Sequence, residues 1–92
     1  QWHELEQELS AGATLIDVRT HGEHGQGAIP GAINIPVDEL RDHLDRIPKA
    51  NVIVSCQVGQ RGHIATQILR AHGVSVRNLD GGYLTWKAGH LA

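Results

Sequence analysis

The chain has 92 residues, of which 40% are apolar and 20% charged, and its formal net charge is −2 with neutral histidines. This length favours one small globular domain over residues 1–92, and the even mixture of residue types excludes a disordered chain. Since no Lys/Arg cluster is present, we expect neither nucleic acid nor a membrane as a partner. One cysteine cannot form an internal disulfide, and no apolar run has the length of a signal-peptide core or a membrane span. We therefore expect a reducing, cytoplasmic setting.

The predicted elements begin with a helix over residues 1–11, which carries Trp2, Leu5 and Leu9 on one face and ends near Gly12. The chain enters this helix at once and has no initiating methionine, so we expect it to be an excised part of a longer protein. Short apolar stretches predict four strands, and a Gly- and His-rich segment between the first two predicts a loop. The strands are placed at 14–18, 32–35, 51–55 and 74–79, and the loop at 20–31.

Amphipathic helices follow the second and third predicted strands. Pro36 opens one that Pro48 ends, and another runs from Gly62 to a stop at Gly73. A turn at 80–82 and a short helix at 83–87 complete the chain. Short apolar strands that alternate with amphipathic helices predict an α/β domain with a mainly parallel sheet and helices on both faces.

The only cysteine, Cys56, directly follows the strand that ends at Ser55, which places it at the sheet edge where parallel α/β domains bind ligands. The loop after it leads into a helix, so backbone N–H groups can converge on the sulfur and favour negative charge there. Gly59 and Gly62 permit such a tight loop, and Arg61 adds a fixed cation. A thiolate in this setting would be a nucleophile at neutral pH.

The structural alternative is that Cys56 is simply a small apolar residue that ends a core strand, since cysteine is among the most buried residue types. The polar and flexible residues that follow it weigh against that alternative. They are Gln57, Gly59, Gln60 and Arg61.

Four segments, in order along nearly the whole chain, resemble the rhodanese domain, a sulfurtransferase module. They are LIDVR at 15–19, Glu23 with GAIPGAINIP at 27–36, the C-x-x-G-x-R loop at 56–61, and DGGY at 80–83 with Trp86. The loop CQVGQRG is more narrowly similar to the C-terminal rhodanese domains of flavin-dependent CoA-disulfide reductases and NADH-dependent persulfide reductases.

The resemblance implies a three-layer α/β fold around a central parallel sheet of about five strands. It also implies that the Cys56 thiolate takes a sulfane sulfur from a persulfide, polysulfide or thiosulfate and passes it to a thiol or cyanide. In this family Arg61 shapes the loop, and no cofactor is expected within the domain; FAD and CoA would belong to a fused flavin reductase domain. The residues implied to line the sulfur pocket are Gln57, Val58, Gly59, Gln60 and Gly62.

Other polar residues near the predicted sheet edge receive structural roles. Asp17 and Arg19 end a strand at the same edge as Cys56, and an ion pair, for example of Arg19 with Glu23, is preferred to a substrate contact. His21 and His24 flank Glu23, but this spacing without a Cys or Asp partner is a weak metal signal, so we expect no metal.

Three further side chains are placed outside the catalytic set. His63 is expected to be exposed in the first turn of the helix after the loop, and Tyr83 and Trp86 are expected to pack against the sheet. The family often has an aromatic residue where His24 stands and commonly a histidine where Ala28 stands, so both are departures from its pattern.

Two other functions compete with sulfur transfer. Related dual-specificity phosphatases and arsenate reductases use a Cys and Arg loop, but with five intervening residues, whereas four separate Cys56 from Arg61. The shorter loop suits one sulfur atom better than a tetrahedral phosphate. The second alternative is a catalytically silent docking or regulatory module, and the presence of Cys56 argues against it.

Overall fold

The structure is a computed structural model that describes residue 7, residues 9–56 and residues 60–79, without the side chains of Gln60 and Arg61. The 80–82 turn, the 83–87 helix and the side chains of Trp2, Leu5, Tyr83 and Trp86 therefore lie outside the described residues. In the first predicted helix, residues 7, 9 and 10 are helical, and the left-handed Gly12 (φ +101°) follows them.

Four strands form one parallel sheet with the order β2-β1-β3-β4. They are β1 (Thr14–Asp17), β2 (Ile33–Asn34), β3 (Val52–Ser55) and β4 (Val76–Asn78). Each lies inside a predicted strand and is shorter than predicted. The resemblance implied about five strands, and the described part of the chain contributes four. The central pair is β1 and β3, whose last paired residues are Asp17 and Ser55.

The segment predicted as a loop contains a helix, α1 (His21–Gln26), so that prediction is wrong for these residues. The helix is stabilised by a capping box, in which Thr20 Oγ1 accepts from the Glu23 amide and Glu23 Oε1 accepts from the Thr20 amide. No residue of α1 is buried. The apolar periodicity on which the helix prediction relies is therefore missing, although the T-x-x-E signature of the cap is in the sequence.

The two other helical segments confirm their predictions in position. The first, between Pro36 and Pro48, is a 3₁₀ segment (Val37–Arg46) with a non-helical φ of −122° at His43. The second, α2 (Gln60–Ala71), begins slightly before the predicted start and is followed by Gly73 in the left-handed region.

The sheet is covered on both faces, as predicted. On one face, Ile16 and Val54 pack in the main hydrophobic core with Leu40 of the 3₁₀ segment and Leu69 of α2. On the other face a smaller cluster joins the strand residues to Leu9 and to the loop before β2; its buried members are Leu15, Ile29 and Ile53. The two layers of apolar side chains fix the sheet, and with it the edge at which the four strands end.

Candidate active site

The carboxyl ends of β1 and β3 meet at the point where the strand order reverses. The chain passes from β1 to β2 on one side of the sheet, then crosses to β3 and β4 on the other. Ligands of open parallel sheets bind at such switch points, beyond the strand ends. Cys56 is the first residue after β3, and the Val18 amide donates to the Ser55 carbonyl at 2.9 Å directly before it. The fold therefore places Cys56 where a ligand site is expected.

The Cys56 side chain is buried, with 1% of the residue exposed. It points to the face of the main core, whose members include Val18, Val54 and Ala65. Both a structural core cysteine and a shielded nucleophile can be buried, so burial does not distinguish between these two interpretations of Cys56. The position at the switch point, immediately before the loop to α2, favours the nucleophile.

Helix α2 begins four residues after Cys56 and approaches the sheet closely in its first turn. Gly62 is buried there, and a Cβ atom at this position would collide with Oδ1 of Asn78, at the end of β4, and lie 3.0 Å from its Cγ. Further along the helix, Thr66 Oγ1 donates to the Gly62 carbonyl at 2.7 Å. The start of α2 is thus packed against a strand end on one side and bonded to its own next turn on the other.

A buried ion pair between Asp17 and Arg19 lies at the carboxyl end of β1. Asp17 and Arg19 are 1% and 3% exposed, and Arg19 Nη2 donates to Asp17 Oδ2 at 2.8 Å while Nε donates to both carboxylate oxygens at 3.0 and 3.1 Å. His24 Nδ1 of α1 lies 2.9 Å from Asp17 Oδ2, and Arg19 Nη2 also donates to the Gly27 carbonyl at 2.6 Å. Asp17 and Arg19 therefore attach both α1 and the residue after it to the sheet edge.

The pKa of the Asp17 carboxyl is below its ordinary value of 3.8. Burial alone would raise it, because a charged carboxylate is poorly solvated in the interior. The hydrogen bonds from the Arg19 side chain, then those from His24 and the Arg19 amide, outweigh burial, and the guanidinium charge adds to them. Asp17 is thus held as a carboxylate.

A second polar cluster lies next to the ion pair at the same edge. The Asn34 amide nitrogen donates to the carbonyls of Asp17 and Arg19, both at 3.0 Å, so its Oδ1 faces outward, 2.7 Å from His21 Nδ1. The other ring nitrogen of His21 is 3.1 Å from Glu39 Oε2 of the 3₁₀ segment. His21 therefore joins α1, β2 and the 3₁₀ segment.

The described residues include only part of the predicted site. Cys56 and Gly62 lie at the sheet edge, and Asp17 and Arg19 end the neighbouring strand. Arg19 pairs with Asp17, while Glu23 Oε1 accepts from the amide and hydroxyl of Thr20. His63 is exposed on α2. The predicted pocket residues Gln57, Val58 and Gly59 lie outside the described residues, as do the side chains of Gln60 and Arg61.

Three residues of this edge were missed from the sequence: His24 as a partner of Asp17, Asn34, and Asn78. For Asn34 the available signal is a polar residue that ends an apolar stretch. For Asn78 it is an amide side chain at the end of a predicted strand. For His24 the signal is weaker, because its partner is seven residues away and only the helix brings them together.

The sequence led us to expect neither a metal ion nor a membrane as a partner, and the structure bears on these expectations only through its described residues. Within residues 9–56 and 60–79, no group of three or more His, Cys, Asp or Glu side chains is arranged to hold a metal ion. In the same residues no helix combines the length and apolar character needed to cross a membrane.

Comparison with known proteins identifies the family. A family model described as the rhodanese-like domain matches residues 1–89. The chain belongs to the rhodanese-like domain family. The resemblance found in the sequence is thereby confirmed, and the parallel sheet with Cys56 at its switch point is the architecture of a rhodanese-like domain.

Named relatives of this rhodanese-like domain are of two kinds. Human thiosulfate:glutathione sulfurtransferase is 39% identical over 100 residues, covering 90% of this chain and 87% of the relative. The structure of the human single-domain sulfurtransferase TSTD1 superimposes with a TM-score of 0.85 at 36% identity, covering 92% of this chain and 90% of that one. This chain therefore spans nearly the whole length of both relatives.

The second kind of relative is a much longer chain. The reduced CoADR-RHD of Bacillus anthracis superimposes with a TM-score of 0.84 at 45% identity, and the match covers 91% of this chain and 15% of that one. This rhodanese-like domain is thus similar both to a protein that consists of the domain alone and to a small part of a large protein.

Proposed function

We propose that this rhodanese-like domain is a sulfurtransferase that carries sulfane sulfur as a persulfide on Cys56. The observation that carries the proposal is the position of the single cysteine, at the carboxyl end of a central parallel strand and directly before the loop to α2. The sulfurtransferase names of relatives that this chain covers almost completely support the same conclusion.

The reaction divides into two displacements at sulfur. In the first, the Cys56 thiolate attacks the outer sulfur of a persulfide R–S–S⁻; the new S–S bond forms as the old one breaks, and R–S⁻ leaves with the electron pair. Thiosulfate reacts in the same way and releases sulfite. In the second, an acceptor thiolate attacks the outer sulfur of the Cys56 persulfide, which restores the Cys56 thiolate. No electrons are gained or lost overall, so the cycle needs no redox cofactor.

The proposed roles of the other site residues follow from the anionic intermediate. Backbone N–H groups of Gln57, Val58, Gly59 and Gln60 would surround the outer sulfur, and Arg61 would hold the loop in shape. Gly62 would allow the first turn of α2 to come close to the sheet. Asp17, Arg19 and Glu23 would serve the scaffold. Asp17 and Arg19 hold α1 and the residue after it against the end of β1, and Glu23 caps the start of α1.

The burial of Cys56 bears on the substrates. A residue that is only 1% exposed favours reagents small enough to reach its sulfur atom between the neighbouring side chains. We therefore infer a small-molecule sulfur donor and a small thiol acceptor, and we favour a persulfide or polysulfide over thiosulfate because Arg61 is the only cation that the sequence places in the loop.

The domain itself would work without a cofactor. We propose that residues 1–92 form one domain of a longer cytoplasmic protein in which a flavin reductase domain, with FAD and CoA, supplies or consumes the sulfur. The 15% coverage of the long CoADR-RHD chain supports such an arrangement.

The test is steady-state sulfur transfer from glutathione persulfide and from thiosulfate to a thiol, measured with wild type and Cys56→Ser. We expect turnover by wild type only, faster with the persulfide. Hydrolysis of p-nitrophenyl phosphate is measured in parallel. Phosphatase turnover that depends on Cys56, without sulfur transfer, would overturn the proposal in favour of the phosphatase alternative.

A further inference from the structure

We propose that His21 is a pH-sensitive link between α1 and the 3₁₀ segment, formed when its ring carries two protons and lost when the ring is neutral. The link consists of His21 on α1, Asn34 on β2 and Glu39 on the 3₁₀ segment. None of these residues has a role in the proposed sulfur transfer, so the inference stands independently of the proposed function.

On β2, the uncharged Asn34 presents a fixed acceptor to one nitrogen of the His21 ring. Its Nδ2 donates to the carbonyls of Asp17 and Arg19, both at 3.0 Å, and these two bonds use both protons of the amide nitrogen. The amide oxygen therefore faces His21 Nδ1, at 2.7 Å, and an amide oxygen can only accept. This contact is a hydrogen bond only when Nδ1 carries a proton.

On the 3₁₀ segment, a carboxylate faces the other nitrogen of the ring. Glu39 Oε2 lies 3.1 Å from His21 Nε2, and Oε1 lies 3.4 Å from it. Between about pH 5.5 and about pH 8 a glutamate side chain is ionised and has no proton to donate. Nε2 must therefore also carry a proton, so both contacts are hydrogen bonds only when the ring is positively charged. Either neutral tautomer places a nitrogen lone pair against an oxygen lone pair.

The two neighbouring histidines need only one ring proton for their contacts with carboxylates. His24 Nδ1 lies 2.9 Å from Asp17 Oδ2, and His43 Nε2 lies 3.9 Å from Glu39 Oε1. In each case a neutral ring with its proton on the facing nitrogen can still donate. Of the three histidines in α1 and the 3₁₀ segment, only His21 has described contacts that require the charged ring.

Helix α1 depends on such polar contacts because none of its residues is buried. Its other links to the sheet edge are the His24 contact and the bond from Arg19 Nη2 to the Gly27 carbonyl, and both persist when the histidines become neutral. Loss of the proton from His21 should therefore loosen α1 locally and leave the sheet intact. The side chains of His21 and Glu39 are 64% and 44% exposed, so water screens their contact and the effect is modest.

The experiment measures amide hydrogen exchange by NMR at about pH 5.5 and about pH 8, on either side of the range in which histidine titrates. Each rate is divided by the intrinsic rate at that pH to give a protection factor. The amides of His24 and Gly27, which donate to the Thr20 and His24 carbonyls, report on α1, and the amides of β3 report on global unfolding. We expect the α1 protection to fall about two- to fivefold at the higher pH, as the loss of an exposed ion pair implies, with a smaller change in β3.

Three variants identify the group responsible. His21→Gln has no ring proton to lose, and the side-chain amide of Glu39→Gln can rotate to donate to a neutral ring or to accept from a charged one. Both should therefore lose the pH dependence of α1 protection, whereas the control His43→Gln, which removes the other histidine beside Glu39, should keep it. The proposal would be overturned by equal α1 protection of wild type at the two pH values, by an equal fall in β3, by the wild-type fall in either His21→Gln or Glu39→Gln, or by its loss in His43→Gln.

Discussion

Replacement of Asp17 by asparagine should destabilise the domain strongly, because it removes one partner of a buried ion pair. In the native protein Asp17 Oδ2 accepts from Arg19 Nε and Nη2 and faces His24 Nδ1. In asparagine an NH₂ group replaces one of the two carboxylate oxygens. Both oxygens of Asp17 accept hydrogen bonds, so in either orientation the NH₂ group faces an N–H donor of the native site. Arg19, which is 3% exposed, then loses the carboxylate charge that lies 2.8 Å from its guanidinium.

The expected magnitude is about 3 to 5 kcal/mol of unfolding free energy, the usual cost of breaking a buried pair by removing one partner. A domain of 92 residues has a total stability of roughly 5 to 14 kcal/mol at about 0.05 to 0.15 kcal/mol per residue. Asp17→Asn should therefore lose a large fraction of the total. Urea denaturation at neutral pH measures this loss, and Asp45→Asn, which replaces an exposed carboxylate, is the matched control and should leave the midpoint unchanged.

The same variant has a diagnostic pH dependence. Since the native pKa of Asp17 lies below 3.8, the unfolded chain takes up the proton more readily than the folded one. The stabilisation is present in full above the unfolded pKa and is lost as the pH falls below about 3.8 through the native value. Asp17→Asn should remove this part of the acid sensitivity. A loss below about 1 kcal/mol at neutral pH, or identical acid profiles of the two proteins, would refute the argument from the buried pair.

Two local stability changes also follow from the structure. Thr20→Ala removes the hydroxyl that accepts from the Glu23 amide, and it leaves the backbone amide of residue 20 donating to Glu23 Oε1. It should cost about 1 kcal/mol, with faster amide hydrogen exchange over 21–26, whereas Thr20→Ser should behave as wild type. Unchanged exchange in the alanine variant would contradict the role of the cap. Gly73→Ala places an alanine at φ +81° after α2 and should lower the free energy of unfolding by about 1 to 2 kcal/mol, measured by thermal unfolding. The control, Gly25→Ala, should leave that free energy unchanged or raise it. Equal effects of the two substitutions would argue against backbone strain at Gly73.

The features predictable from the sequence are those encoded by adjacent residues. The strands β1 and β3 are continuous apolar runs, as parallel strands buried on both faces must be. The position of Cys56 at a strand end follows from that pattern, and its place in the C-x-x-G-x-R loop identified the family. Asp17 and Arg19 share one face of an extended chain because they are two residues apart, so their ion pair could also have been foreseen.

The features that were missed depend on contacts between distant residues. Helix α1 contains Gly22 and Gly25 and buries nothing, so neither propensity nor periodicity indicates it. Its attachment to the sheet comes from His24 and His21, whose partners are brought near only by the completed fold. The contact of Gly62 with Asn78 joins residues 16 positions apart, and a sequence pattern does not specify such an approach.

The most direct test of sulfur transfer through Cys56 is intact-protein mass spectrometry after brief incubation with glutathione persulfide, followed by a thiol chase. Wild type should gain the mass of one sulfur atom and lose it to the thiol at a rate no slower than steady-state turnover, and Cys56→Ser should gain nothing. A sulfur adduct that appears equally on Cys56→Ser, or one that the thiol cannot remove, would contradict the account, because Cys56 would then not be the transient carrier.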